Sequence, residues 1–500
     1  MGKVVSTFEL SLNRRRRGQT LANWLYQELR TAILEGRLKP ATKLPASRDF
    51  ARRYRVSRGT VVWAFERLQD EGFLSSRVGV GTWVNAKVPS KEPVSRSSCE
   101  PPAYLHRIVT GYRKPKPFVN WITLPGNRPF SMRNPALAEF PAGLWSRISA
   151  RRAHAFQSWL REEDDGSGYR PLREAIASYL GSSRGVSCEA EQVVIVSGTQ
   201  QALDLLSRLL IKPGDPVWME DPGYFGATIA FARAGARIIP VPVDEEGLSV
   251  SAGLKACPHA IGVFLTPAHQ YPLGMAMSLN RRMEVLEWAA RTGGFIIEDD
   301  YDSEYQIKGL PAPALQGLDR NSNVIFIGTF TKLLFPSLRI GYVVLPTPLV
   351  DIFASFRRGS ELRSAGLDQA VLCDFIVEGH FGRHLRKMRD LYTRRLEAFL
   401  HFEDRYLSGL LKTADTKAGL YVASFLQNGM SSLEAESISL ANGIETKALE
   451  RFTLKRHDPK GLLLGFAAFD EGAIRAGIVQ LAAALGSRKM PSRLKQNLTV

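Results

Sequence analysis

Cysteine is scarce in this chain. Cys99, Cys188, Cys257 and Cys373 are the only four in 500 residues, and they lie far apart with no Cys-x-x-Cys pair. That excludes a disulfide scaffold and a zinc module, and it fits a reducing cytosol. No apolar stretch approaches the roughly 20 residues of a membrane-spanning helix. The segment Met1 to Leu12 lacks the apolar core of a secretion signal. No His/Cys cluster has metal-ligand spacing, so no metal site is expected. There is no Walker A loop, and Gly79-Val80-Gly81 does not continue as G-x-G-x-x-G.

What is present is length and basic charge. Five hundred residues give room for two to four domains at roughly 100–200 residues each. The net charge of +17 is concentrated at one end: residues 1–86 carry +9, residues 87–117 carry +5, and everything after them only +3. A basic end on a near-neutral body points to an anionic polymer bound at that end, against the alternative of a solubilising tail. Residues 87–117 also hold six prolines and no apolar periodicity, which predicts a semi-extended linker. The expected organisation is a small domain at 14–86, the linker at 87–117 and a large domain at 118–488.

The small domain reads as three helices and a hairpin. Leu21, Leu25, Leu29, Ile33 and Leu34 form one apolar face, and Gly36 ends that helix. Ser47 is expected to cap a second helix and Ser57 a third, in which Val61, Val62, Phe65 and Leu68 face inward. Gly79 and Gly81 then tip a short hairpin. Three short helices and a glycine-tipped wing make a winged helix-turn-helix. Its third helix, opening on Ser57-Arg58-Gly59-Thr60, can enter a major groove. Arg48 begins the preceding helix, and the wing glycines let backbone approach phosphates. A lone arginine is usually just solvated; two arginines, two hydroxyls and a glycine wing at matching offsets favour binding. Arg48, Ser57, Arg58, Thr60, Gly79 and Gly81 are the expected DNA contacts.

Residues 20–86, with their LP-x-SR, VSR-x-T-V and G-x-G-T elements, resemble the DNA-binding domain of GntR-type bacterial regulators. Ala41 stands where that family usually has glycine, a change expected only to stiffen the turn.

From residue 190, apolar runs alternate with amphipathic stretches, which predicts a parallel α/β sheet covered on both faces. Polar clusters follow the runs: Gly198-Thr199-Gln200, Tyr224, His269-Gln270, Asp299 with Tyr301, and Thr329 to Lys332. Ligands in such sheets gather at the strands' carboxyl ends. Gly198-Thr199-Gln200 at a helix start suits a phosphate, with Thr329, Thr331 and Arg339 as further donors. Asp299 can hold a protonated ring nitrogen, Tyr301 a phenolic oxygen, and Lys332 is a candidate Schiff-base amine. Taken singly, each has a bland reading as cap, core or solvated side chain. Together they describe pyridoxal 5′-phosphate.

The segments "GYRPLREAIASYL", "SGTQQALDLLSRLL", "EDPGYFGA", "TPAHQYPLG", "EDDYDSEY" and "GTFTKLLFPSLRIGY" resemble a fold-type-I aminotransferase. Fused to a GntR-type head, the whole is similar to the MocR subfamily of regulators. The resemblance implies that Lys332 carries the cofactor and that Asp299 and Tyr301 hold its ring. Gly198, Thr199, Gln200, Thr329, Thr331 and Arg339 would hold its phosphate, with Tyr224 beside the ring. Tyr169 would reach the phosphate in the partner of a homodimer. Thr331 replaces the family's more usual serine. Leu463 in "GLLLGFAAF" stands where aminotransferases carry a carboxylate-binding arginine, and no arginine lies between His457 and Phe469.

The expectation is a cytoplasmic bacterial regulator, on the nucleoid when bound to an operator in double-stranded DNA. It would bind pyridoxal phosphate and sense an amine, an amino acid or pyridoxal phosphate itself. The alternatives are a working aminotransferase with a DNA-binding head, and a body that only dimerises the heads.

Overall fold

The computed structural model describes residues 10, 12, 13, 15, 18–77, 79–86, 128–154, 166–307, 313–361, 366–416, 418–455 and 459–486. The chain divides into two compact units, Met1–Lys114 and Pro115–Val500. The expected linker 87–117 lies outside the described residues, as does the tail beyond 486.

In the first unit, helix α1 (Leu21–Leu34) begins where Thr20 Oγ1 accepts the Asn23 N–H. It buries Leu25, Leu29 and Ile33 against Phe50 of α2 (Ser47–Tyr54) and Val61, Phe65 and Leu68 of α3 (Arg58–Asp70). Burying each such side chain stabilises the unit by about 1.5–3 kcal/mol. The Ser57 hydroxyl caps α3, accepting the Thr60 N–H at 3.1 Å.

Three details differ from expectation. Ser47 does not cap α2; Ala46 occupies the cap position and no side chain serves it. The wing is a sheet of three strands, because β1 (Lys43–Leu44) pairs with β3 (Gly81–Val84), which pairs with β2 (Leu74–Arg77). Ala41 does more than stiffen a turn. Its φ is +62°, a left-handed conformation that glycine adopts freely and a Cβ opposes.

The second unit is built on an eight-stranded sheet. Its strands are β4 (Val193–Val196), β5 (Pro216–Asp221), β6 (Arg237–Asp244), β7 (Gly247–Leu248), β8 (Gly262–Leu265), β9 (Phe295–Asp300), β10 (Val324–Thr329) and β11 (Gly341–Val344), in spatial order β4-β11-β10-β9-β8-β5-β6-β7. Strands β4, β5, β8, β9 and β10 are buried along most of their length, which explains their unbroken apolar reading.

The sheet is mixed rather than parallel. β11 runs antiparallel to both β10 and β4, and β7 antiparallel to β6. A parallel return needs a crossover of a dozen or more residues; the segment 330–340 is shorter and holds a turn and the short helix Pro336–Leu338. β11 therefore starts on the rim where β10 ends. A second sheet, antiparallel throughout, has the order β12 (Leu411–Thr413), β13 (Tyr421–Leu426), β15 (Gly461–Gly465), β14 (Lys447–Ala448). Among the described residues no helix is long and apolar enough to cross a membrane.

Candidate functional site

In the first unit most of the expected DNA contacts are exposed. Arg48, Ser57 and Arg58 are exposed, Thr60 is half-buried beneath Ser57, and Gly79 is exposed at the wing tip. Gly79 and Gly81 have φ of +77° and +125°, backbone conformations that favour glycine. Arg52 pairs with Asp49. Arg48 and Arg58 make no hydrogen bond or ion pair among the described residues, which leaves both guanidinium groups available to a phosphate or a base edge.

In the second unit, the carboxyl ends of β4, β5, β8, β9 and β10 face one cavity of about 280 Å³. Every cofactor-contact residue expected from sequence lines it except Tyr169: Gly198, Thr199, Gln200, Tyr224, Asp299, Tyr301, Thr329, Thr331, Lys332 and Arg339. Tyr169 stands at the start of the helix Arg170–Arg184, half-buried, its N–H donated to Gln369 Oε1 at 2.9 Å. It does not reach this chain's own cavity.

One end of the cavity is assembled by backbone. Gly198, with φ +96°, turns β4 into the helix Thr199–Leu210, and a Cβ there would find nothing within 4 Å. The open helix start presents N–H groups and the positive end of the helix dipole. Thr331 donates its N–H to Thr329 Oγ1 at 3.2 Å, and both residues line the cavity. Arg339 takes φ +47° as β11 begins and donates Nη2 to the Ser197 carbonyl at 3.2 Å. A non-glycine residue held in the left-handed region at such a place is strain retained at a site.

The opposite end is buried and acidic. Asp299 is the penultimate residue of β9, is almost inaccessible, and its Oδ1 has no hydrogen-bond partner among the described residues. Burial pushes its pKa well above the carboxylate range, with Asp300, Asp302 and Glu220 adding to the rise. Glu220 is likewise buried and pushed up to about 8, although Thr266 donates both its hydroxyl and its N–H to Oε2. Burial lowers the pKa of Lys332, opposed by the Asp302 charge, and its Nζ donates to the Met132 carbonyl at 3.4 Å. The Tyr301 hydroxyl meets that of Tyr421 at 2.6 Å.

This chemistry fits pyridoxal phosphate. A buried carboxyl oxygen without a partner suits a ring N–H, a donor-lined helix start suits a phosphate, and a lysine with a depressed pKa suits an aldehyde. Leu463, at the place expected for a carboxylate-binding arginine, is fully buried among Tyr421, Ala423, Leu449 and Phe452.

Sequence reasoning missed Arg133, Tyr271, Asp302, Tyr421, Glu445 and Lys447, all of which line the cavity. Asp302 and Tyr271 lie within recognised motifs and were legible as neighbours of Tyr301 and His269. The other four come from remote segments with no motif.

Comparison with known proteins finds two families in the chain. The family "Bacterial regulatory proteins, gntR family" matches residues 21–84, and "Aminotransferase class I and II" matches residues 149–436. The "Probable rhizopine catabolism regulatory protein MocR" of Rhizobium meliloti is 38% identical over 463 residues, covering 92% of each chain. The "HTH-type pyridoxine biosynthesis transcriptional regulator PdxR" of Corynebacterium glutamicum is 29% identical, covering 92% of this chain and 95% of the relative. Among solved structures, the α-aminoadipate aminotransferase LysN of Thermus thermophilus matches with a TM-score of 0.66 at 28% identity. That match covers 72% of this chain and 92% of LysN.

Proposed function

The chain belongs to the MocR-type regulators, which join a GntR-type DNA-binding head to a class I and II aminotransferase domain, and on that premise we propose that its pyridoxal phosphate-binding body senses an amine-bearing ligand and alters how the head holds DNA. The head spans 14–86, the linker 87–117 and the body 118–488. The protein acts in the bacterial cytoplasm and joins the nucleoid when bound to its operator.

The observation that carries this reading is Asp299 Oδ1, buried without a partner in the cavity that Lys332 also lines. When bound there, pyridoxal phosphate supplies an aldehyde carbon able to link to a primary amine and a ring able to withdraw electrons from it. This chain's residues do the rest. Asp299 would hold the ring nitrogen's proton, and Tyr301, steadied by Tyr421, the ring oxygen. The N–H groups at Thr199 and Gln200, the hydroxyls of Thr329 and Thr331, and Arg339 would hold the phosphate, with Tyr224 beside the ring.

Lys332 would present its amine toward the cofactor's aldehyde, where a ligand amine would compete with it. Catalysis needs a substrate held in a reactive orientation, and Leu463 offers no charge for that. Sensing without efficient turnover is the reading this supports. A ligand then switches the body by binding one conformation better than another. Tyr169 reaches the partner's phosphate in a homodimer, and two heads read two half-sites. Sedimentation of the cofactor-loaded protein as a dimer at micromolar concentration supports this arrangement, and a monomer refutes it.

The test joins spectroscopy to DNA binding. Purified protein shows a near-visible absorbance band that borohydride fixes covalently and Lys332→Ala abolishes. A cognate amine shifts the band and changes operator affinity under the same conditions. Rapid turnover of an amino acid with a 2-oxo acid, with no ligand effect on DNA affinity, establishes an enzyme instead.

A further inference from the structure

Lys332 is supported at its root and at its tip by one helix. At the root, the Phe330 carbonyl accepts the N–H groups of Leu333 at 3.2 Å and Leu334 at 2.9 Å. The carbonyl of Leu333, the residue after the lysine, accepts two side-chain donors: Tyr305 Oη at 2.6 Å and His384 Nε2 at 3.2 Å. Leu333 is thereby pinned at both its N–H and its carbonyl, which holds the neighbouring Lys332 main chain against the cavity wall. At the tip, Lys332 Nζ donates to the Met132 carbonyl. A little further along that segment, Ala136 donates its N–H to Tyr392 Oη at 3.0 Å. His384 and Tyr392 lie on one buried face of the helix His380–Tyr406, about two turns apart.

The same helix steadies the second donor. Arg389 Nε donates to the Glu304 carbonyl at 2.6 Å, and the Tyr392 ring meets the Tyr305 ring edge to face at 4.9 Å. The imidazole of His384 is itself fixed. Phe140 packs edge-on against it at 5.9 Å and against Phe335 at 4.8 Å. Burial pushes the His384 pKa below the ordinary imidazole value, the Leu333 carbonyl resisting and the Lys387 charge adding to the fall. The ring is therefore neutral near neutral pH, with one nitrogen carrying hydrogen. A carbonyl can only accept, so that nitrogen is Nε2.

We propose that His384 is a positioning residue for Lys332: its Nε2–H, together with the Tyr305 hydroxyl, fixes the main chain at Leu333 so that the lysine amine is aimed at the place a cofactor aldehyde occupies. This rests on the cofactor reading proposed above. Reacting groups must be held in a narrow range of geometry, and a small misplacement made outside the reacting atoms lowers their reactivity steeply. A side chain that only fills space serves every occupant of the cavity alike. One that aims the amine serves only an occupant carrying an aldehyde.

The test titrates the cofactor-stripped full chain with two probes. Pyridoxal phosphate carries the aldehyde; pyridoxamine phosphate keeps the ring and the phosphate but has an amine in its place. His384→Leu removes the donor, and His384→Gln keeps a donating N–H at similar reach. H384L is expected to weaken capture of pyridoxal phosphate, read as the borohydride-fixed label on Lys332, by about three- to tenfold, the worth of one hydrogen bond. Its binding of pyridoxamine phosphate is expected to stay unchanged, and H384Q to restore capture. Tyr305→Phe keeps the ring and removes only the other donor; the same selective loss is expected there, and it decides the matter should H384L not fold. Equal loss for both probes, no loss in H384L and Y305F, or no rescue by H384Q overturns the proposal. An unaltered protein that takes no borohydride-fixed label on Lys332 defeats the cofactor reading beneath it, whereas an intact label without the selective loss defeats only the role of His384.

Discussion

His269 Nδ1 lies 2.8 Å from Asp302 Oδ1, with both side chains almost wholly buried. This contact orients the imidazole ring. The ring so held stacks on Tyr301 and Tyr421, at centroid distances of 5.7 and 5.4 Å. Gly419, with φ +95°, leaves the room: a Cβ there would sit 2.1 Å from His269 Cε1. The pair is thus the floor beneath the two phenols of the site.

Asp302 also acts at a distance on Lys332, since its charge is what resists the burial-driven fall in the lysine's pKa. Asp302→Asn removes that resistance. The midpoint for labelling Lys332 with an acylating reagent, followed across pH in the cofactor-free protein, is expected to move to lower pH. An unchanged or higher midpoint would show that a different group governs the amine.

Asp299→Asn is expected to separate stability from function. Burial raises the folded pKa of Asp299 above the unfolded value of about 3.9. A raised pKa means the folded state favours the protonated form. Its contribution is fully present below the unfolded pKa and is lost as pH rises through the folded one. Cofactor-free protein therefore loses stability from this group on going from acid toward neutral pH. The asparagine variant, which cannot ionise, should melt higher than the original protein near neutral pH without cofactor. It should also bind pyridoxal phosphate roughly ten- to hundredfold more weakly, the cost of a charge-assisted hydrogen bond. Calorimetric melting at several pH values and cofactor titration check the two halves separately.

The parts of the site that the sequence exposes are those where chemistry is local in the chain. Gly198-Thr199-Gln200, Asp299 with Tyr301, and Thr329 to Arg339 each pair a strand end with its polar residues in one short segment. The strand's apolar run therefore announces the rim. Lys447 and Tyr421 give no such signal. They reach the cavity only because β13, β15 and β14 pair in a particular register, and a one-residue slip would turn each to the opposite face. The reversal of β11 was hidden for a related reason. Its run of buried residues reads the same in either direction, and only the brevity of 330–340 marks the turn. In the head, Ser47 looked like a cap by residue type, yet the backbone placed it one position inside the helix.

Arg58 and Arg48 should divide the work of holding DNA. Arg58 opens α3, and Arg48 lies in the first turn of α2. A base-contacting arginine is worth roughly 1–3 kcal/mol of discrimination, so Arg58→Ala is expected to relax operator specificity. A phosphate-contacting arginine weakens all sequences alike and lowers the salt dependence by about one counter-ion, the result expected for Arg48→Ala. Operator and random DNA titrated at several salt concentrations distinguish the two. Unchanged affinity in both variants would remove this face of the head from the interface.

Ala41→Gly should stabilise the head. Ala41 holds φ +62° just before β1, its N–H donated to the Val84 carbonyl at 2.9 Å, and its side chain is exposed. The left-handed conformation costs an L-residue roughly 1–2 kcal/mol that glycine does not incur. Against this, glycine gives the unfolded chain more freedom to lose, about 0.4–1 kcal/mol. No buried contact is forfeited, because the methyl faces solvent. The difference favours glycine by about 0–1.6 kcal/mol, with a middle value of about 0.8 kcal/mol that corresponds to an equilibrium change of about fourfold. Hydrogen exchange of the α1 and α3 amides, measured in the full chain, should slow by that factor in A41G while the sheet of the second unit exchanges as before. Faster exchange in the head would show that the backbone at Ala41 is not strained and that the methyl contributes to the turn.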